Sequence, residues 1–284
     1  MSTILPLFWD LSSANKRHRI DASAKLIGAL EHFQARFTPK SDISEPASEE
    51  DDDGEAQASK DDGLDALNAT DVSYSIRRLV RGLASPRESS RLGFAVALTE
   101  LLSRIDTITC SQIVSLILDS SKTHGSMTGQ EERDALFARL FGLTAVIQSG
   151  LLVRNTPLST SASSAPAASS LAGYREVITE LVALGEKKSW LRESAWWTIG
   201  LAIDALDESE VSWKDEAFES TLETLFVDNK LWTPEKIALT LKLQKYRPAR
   251  DWNVLMSPTF KHPHVLSTGN YSALSRILKV RPPV

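Results

Sequence analysis

The feature that most limits how this chain can fold is a series of helix-start signals at near-constant spacing. A helix leaves its first backbone N–H groups without partners, and Ser, Thr or Asp at the N-cap accepts from them. Thr109-Cys110-Ser111-Gln112 and Thr128-Gly129-Gln130-Glu131 carry the reciprocal capping-box pattern, a hydroxyl at the cap and an amide or carboxylate three residues on. Ser85-Pro86-Arg87-Glu88 reads as the same box with proline at the first helical position, and Thr233-Pro234-Glu235 as a cap followed by proline. Asp71, Ser170, Ser189 and Ser212 each precede an apolar-periodic run, and Gly150 stands where a C-terminal glycine ends the helix that contains Leu136 to Ile147.

Alternate starts lie 38 residues apart (Asp71 to Thr109), 43 (Ser85 to Thr128), 42 (Ser170 to Ser212) and 44 (Ser189 to Thr233), while the two intervals that span the Ser/Ala-rich loop (Thr109 to Ser170 and Thr128 to Ser189) are 61 each and approach the same value once that loop is subtracted. A helix pair every ~40–47 residues is the period of HEAT and armadillo repeats. In 87–105, Leu92, Phe94, Ala95, Val96, Leu98, Leu101, Leu102 and Ile105 cover more than half the circumference, as expected of a helix packed on two sides. No Asn-Gly or Asp-Gly pair separates two alternating apolar runs, so strand signals are missing. The expected fold is all-α, an irregular HEAT/armadillo-like helical-repeat solenoid.

Two segments interrupt that pattern. Residues 38–70 hold eleven acidic and two basic side chains, including Ser48-Glu-Glu-Asp-Asp-Asp-Gly-Glu55, and few large apolar ones. Such a run repels itself and buries too little to offset its ordering entropy, so a disordered acidic insert is expected. Residues 155–170 are nearly all Ser, Ala, Thr and Pro, a flexible loop by composition. The expected organisation is N-terminal solenoid helices over 1–37, the insert over 38–70, and solenoid over 71–284 with the loop inside it. The whole chain carries −5, but without the insert 30 basic residues face 26 acidic ones, so the helical part is mildly basic. Such a balance does not suggest a dedicated DNA-binding domain.

Cys110 is the one cysteine, which rules out an internal disulfide and fits a reducing compartment. The N-terminal residues lack the basic and apolar regions of a signal peptide, and no apolar run reaches the ~18 residues of a membrane span. A soluble intracellular protein is expected.

Four ordered blocks bear a family resemblance. Phe8-Trp9-Asp10-Leu11, followed by Arg19, Ala22, Ala24 and Leu26, is the first, and Tyr74-Ser-Ile-Arg-Arg-Leu-Val-Arg-Gly-Leu-Ala-Ser-Pro-Arg-Glu88, running on to Leu102, is the second. Leu136-Phe-Ala-Arg-Leu-Phe-Gly-Leu-Thr-Ala-Val-Ile-Gln-Ser-Gly150 and Leu231-Trp-Thr-Pro-Glu-Lys-Ile-Ala-Leu239 complete the set. Together they resemble the N-terminal portion of the DNA polymerase phi / Myb-binding protein 1A family, also called DNA polymerase V. The resemblance implies a nuclear, mainly nucleolar protein of ribosomal RNA synthesis, ribosome biogenesis and transcription regulation. It also implies nucleolar proteins and pre-ribosomal or rDNA-associated complexes as partners, with RNA or DNA contact, and a longer chain than this one.

The polymerase name invites a test against the residues. Nucleotidyl transfer needs carboxylates converging on two Mg²⁺ ions ~3.5–4 Å apart. Here the carboxylates cluster in the acidic insert, where nothing fixes geometry, and no Gly-x-x-x-x-Gly-Lys phosphate loop occurs. The expectation is a non-catalytic binding scaffold without cofactor or metal; a generic adaptor or transport scaffold without an rRNA link is the alternative. His262-Pro-His264, with no Cys or carboxylate close by, reads as a surface loop rather than a metal site. Cys110 beside a helix start and the set Trp190, Trp196 and Trp197 read as structural and core residues.

Candidate site residues are five arginines. Arg77 and Arg81 are i, i+4 neighbours on one helix and Arg87 and Arg91 on the next, with Arg78 beside them. If the two helices form a hairpin, these guanidinium forks converge near its turn and suit phosphate or an acidic peptide. Internal salt bridges are the competing role. Ser48, followed by Glu49, Glu50 and Asp51, is a candidate phosphorylation site for acidophilic kinases.

Overall fold

The structure, a computed structural model, describes residues 4–38, 63–158, 167–226 and 232–279. Its elements are helical throughout, and the one β-type pairing among the described residues is an isolated bridge between Pro157 and Ala167. The chain divides into two compact units, Met1–Leu151 with Thr156–Ala168 and Leu152–Asn155 with Ser169–Val284.

The first unit runs α1 (Leu5–Asp10), α2 (Lys16–Ala35), a 3-10 turn (Leu64–Ala66), α3 (Thr70–Gly82), α4 (Glu88–Arg104), α5 (Cys110–Ser120) and α6 (Gly129–Gln148). Helix α4 packs against α2, α3 and α6, which accounts for its broad apolar surface. Leu98, Leu101 and Leu102 are fully buried, whereas Leu92 and Val96, expected to pack, are 36% and 46% exposed. They are i, i+4 neighbours on the one stripe that no described helix covers. Close helix approach depends on missing side chains: a Cβ on Gly142 would lie 2.9 Å from the Ile117 side chain of α5.

Polar ties fix the remaining geometry. Arg91 of α4 donates to Asp134 of α6 at 3.0 Å and to the Ser85 carbonyl at 2.7 Å, while Gln130 donates to the other Asp134 oxygen. Gln34 of α2 donates to the Leu67 carbonyl and accepts from the Ala69 N–H, joining the segment before α3 to the end of α2. Leu64 and Asn68 are buried there, so residues 63–70, expected to belong to the acidic insert, are part of the folded unit. The apolar anchors Leu64 and Leu67 and the buried Asn68 outweigh the acidic composition of the stretch.

The second unit holds α7 (Leu171–Lys187), α8 (Ser189–Glu208), α9 (Lys214–Phe226), α10 (Pro234–Tyr246), α11 (Asn253–Met256) and α12 (Tyr271–Lys279). Only Lys188 separates α7 from α8, and the two pack along their length; α7 also meets α9, and α8 meets α10. Tyr174 is fully buried, its hydroxyl 3.2 Å from Thr221 of α9 and its ring 5.9 Å from that of Trp213. Asp204 of α8 accepts from both Lys242 and Tyr246 of α10 at 2.6 Å.

The caps divide in an instructive way. Thr109 and Thr128 form both halves of their capping boxes, and Ser170 and Thr233 accept from Gly173 and Lys236 N–H groups. Gly150 is left-handed at φ 76°, as a residue after a helix end is when it is glycine. Ser85 is not a cap: α4 starts three residues later with Arg87 at the N-cap, and the Ser85 hydroxyl accepts from the Arg87 N–H inside the turn. Asp71 and Ser189 lie inside their helices, whose N-caps are Ala69 and Lys188. Ser212 lies in the turn before α9. Despite these shifts the spacing persists within each unit. Pairs of starts are 40 residues apart from Thr70 to Cys110, 41 from Glu88 to Gly129, 43 from Leu171 to Lys214 and 45 from Ser189 to Pro234.

Candidate functional site

Helices α3 and α4 do form a hairpin, and its turn sorts the five arginines by partner. Arg91 is buried, with its guanidinium on Asp134 and 4.8 Å above the Phe137 ring. Arg78 donates to the Tyr74 hydroxyl at 2.7 Å and stacks 4.4 Å from the Phe8 ring centroid. Arg77 reaches back to both carboxylate oxygens of Asp65, the nearer at 2.8 Å. These three serve the fold. Arg81 and Arg87 are exposed, and neither guanidinium has a hydrogen bond or ion pair within the described residues. The turn thus keeps two arginines of the five directed to solvent.

The sequence reading missed the other half of this edge. The α1–α2 turn packs on the start of α4, so that a Cβ on Gly93 would stand 1.9 Å from the Leu11 carbonyl oxygen and 3.1 Å from Arg19 Cδ. Ser89 adds a 3.5 Å hydroxyl contact to the Ser12 carbonyl. That packing brings the opening of α2, Lys16-Arg17-His18-Arg19, to the same end of the unit as Arg81 and Arg87. Lys16, Arg17 and His18 are exposed, and Arg19 braces the turn by donating to the Ser13 and Ala14 carbonyls at 2.7 and 2.9 Å. A run of four basic residues just after the Asn15 cap was the available signal. Asp10 and Glu88 are the exposed carboxylates on these segments, against five lysines and arginines. Such an edge attracts anions and can hold phosphate or carboxylate groups by charge-assisted hydrogen bonds.

The remaining candidates are structural or lie elsewhere. His262 and His264 sit in a loop organised by buried Asn270, whose amide donates to both of their carbonyls. Cys110 is buried at the start of α5, its N–H on the Ala168 carbonyl at 2.7 Å. Among the described residues no group of three His, Cys, Asp or Glu side chains is placed to hold a metal ion, and no helix is long and apolar enough to cross a membrane. Trp196 is buried as expected, but Trp190 and Trp197 are 46% and 58% exposed rather than core residues. Residues 190 and 197 are two turns apart on one face of α8, and 196 lies about 100° away on another. Ser48 lies outside the described residues.

Fold and site together define an all-α protein of packed helix pairs with a cationic, solvent-directed edge in its first unit. A family model described as DNA polymerase phi matches residues 74–281, and the chain belongs to that family. It is 30% identical over 217 residues to the rDNA transcriptional regulator pol5 of Schizosaccharomyces pombe, a match covering 76% of this chain and 21% of that one. The rDNA transcriptional regulator POL5 of Saccharomyces cerevisiae is 26% identical over 233 residues, covering 75% and 22% respectively. A Myb-binding protein 1A-like protein of Danio rerio is 25% identical over 245 residues, 85% of this chain and 15% of that protein. The chain therefore spans about a fifth or less of the length of these curated relatives. No solved structure matches it.

Proposed function

We propose that this chain is a non-catalytic binding module acting in the nucleus, chiefly the nucleolus, in the regulation of ribosomal RNA gene transcription and ribosome biogenesis. Its helix pairs supply an irregular HEAT/armadillo-like surface to rDNA-associated and pre-ribosomal complexes. The names of its relatives, transcriptional regulators and Myb-binding proteins, support a regulatory rather than a polymerising role. The observation that carries the reading is the division of labour among the arginines. Arg78 and Arg91 are consumed by internal partners, while the guanidinium groups of Arg81 and Arg87 stand at the α3–α4 turn with no hydrogen bond or ion pair among the described residues. Solvent-directed guanidinium groups carried at the ends of packed helices fit recognition of an anionic partner.

The test is affinity capture from nuclear extract, with and without RNase, by the wild-type chain and by Arg81→Glu/Arg87→Glu. Recovery of RNA polymerase I or pre-ribosomal components, lost on charge reversal with helicity unchanged, is the expected result. Equal recovery by both forms refutes the assignment of the edge, and recovery of exclusively non-nucleolar partners would favour a general adaptor.

A further inference from the structure

We infer that the cationic edge of the first unit binds single-stranded nucleic acid, its cations on phosphates and the Trp9 indole against a base. This inference rests on the reading of that edge as the contact surface and adds the class of ligand. The added observation is Trp9, the one tryptophan of the first unit, which is 75% exposed. Its neighbour Phe8 is buried, edge-on to Tyr74 at 6.4 Å and under Arg78. Helix α1 is thereby pinned to α3 through Phe8, while the next side chain is left facing water. An indole so exposed offers a broad planar face on which a ligand can stack.

The surroundings of Trp9 match a nucleotide strand. Arg81 follows Arg78 by one helical turn, and Arg78 is the residue stacked on Phe8. Arg87 precedes by two residues the Ser89 that meets Ser12, three residues after Trp9. Lys16 and Arg17 open α2 just beyond that turn. Ile20 and Leu92, 52% and 36% exposed, flank Arg19 and Gly93, the pair in contact where α2 meets α4. The edge therefore combines point charges with an aromatic face and two aliphatic side chains. Lys25 is held above its ordinary pKa first by Asp21, its ion-pair partner at 2.7 Å, with a smaller contribution from Asp10, one of the two carboxylates of the edge.

Ligand geometry decides among the anionic partners. In a duplex the base faces are stacked on one another and unavailable to an indole. An acidic peptide would satisfy the guanidinium groups but offers no planar face to Trp9. A single strand presents phosphates for the cations and unstacked bases for the aromatic ring, the combination used by sequence-tolerant strand-binding surfaces. Recognition of this kind does not distinguish ribose from deoxyribose unless a 2′-hydroxyl is contacted.

Fluorescence anisotropy of the full chain with fluorescein-labelled oligothymidylate, the matching RNA strand, a duplex of equal length and a polyglutamate peptide tests the proposal. Binding should favour either single strand over the duplex and the peptide. The logarithm of its affinity should fall with the logarithm of salt at a slope of roughly −3, four cations each neutralising one phosphate. Trp9→Ala should weaken single-strand binding by about 5- to 150-fold, the range for losing one stacked base, with Trp9→Phe much closer to wild type. Arg81→Glu/Arg87→Glu should weaken binding and flatten the salt slope by about half. Circular dichroism of each variant should match wild type, since none of these side chains is buried. Tighter binding of the duplex or of polyglutamate, or no effect of Trp9→Ala, overturns the inference. If single strands fail to bind while charge reversal still abolishes nuclear partner recovery, the ligand class is wrong and the contact surface stands. If charge reversal affects neither, both fall.

Discussion

Arg91 was a candidate for external binding, and the structure instead gives it a measurable internal task. Its guanidinium lies 3.0 Å from Asp134, and both side chains are only 11% exposed. At that separation, and an effective dielectric constant of about 20, the attraction is roughly 5 kcal/mol, much of it offset by the desolvation of both groups. The offset is not recovered when one partner alone is removed, because the other stays buried. Arg91→Met strands the Asp134 carboxylate with only Gln130 and removes the ties to the Ser85 carbonyl and the Phe137 ring. The expected cost is about 3–5 kcal/mol, the range for breaking a buried pair from one side. At 1.36 kcal/mol per factor of ten, the slowest-exchanging amides of α4 and α6 should exchange roughly 150- to 5,000-fold faster in native-state hydrogen exchange. The double variant Arg91→Met/Asp134→Leu removes both charges and should recover most of that protection, to within about 1–2 kcal/mol of wild type. Exchange within a factor of ten of wild type in the single variant, or a double variant no better than the single, would refute this account of α4 and α6.

Three further expectations follow from local geometry. Gly93→Ala places a methyl on the Leu11 carbonyl and must displace the α1–α2 turn; a cost of about 1–3 kcal/mol should appear as a lower thermal midpoint, together with weakened strand binding. Thr109→Ala removes the hydroxyl that accepts from the Gln112 N–H and should cost about 1 kcal/mol, read as faster exchange confined at first to α5. The Tyr246 phenol is pushed up to about 12, first by its hydrogen bond to the Asp204 carboxylate and then by burial and neighbouring acids. The folded state thus favours the neutral phenol, and its contribution is fully present below the ordinary value of ~10 and lost as pH rises from there toward 12. Ultraviolet titration, with Tyr246→Phe to isolate the signal, should show Asp204→Asn returning this phenol toward its ordinary range.

Helix identity was legible because its determinants are local. The hydroxyls of Thr109, Thr128, Ser170 and Thr233 act on N–H groups three residues away, so they can be recognised without knowing the fold. The Ser85 reading failed for a nonlocal reason: the Ser85 carbonyl is drawn to Arg91, which is itself fixed by Asp134, 43 residues away. The same contact removed Arg91 from the candidate edge. Conversely, the basic opening of α2 could not be joined to Arg81 and Arg87 by sequence spacing, since more than sixty residues separate them.

What the sequence determined by itself is the all-α character, the near-constant period of helix starts and the family to which the chain belongs. All three are carried by short-range capping, apolar periodicity and ordered blocks of residues. What only the tertiary structure decided is the fate of individual side chains. Trp196 is enclosed while Trp197 is not, Phe8 is enclosed while Trp9 is not, and Arg91 is paired while the Arg87 guanidinium has no partner among the described residues. Within each pair the residue types are alike or identical. Burial and pairing depend on which neighbouring helix covers a given face, and that is set by contacts between residues far apart in the chain.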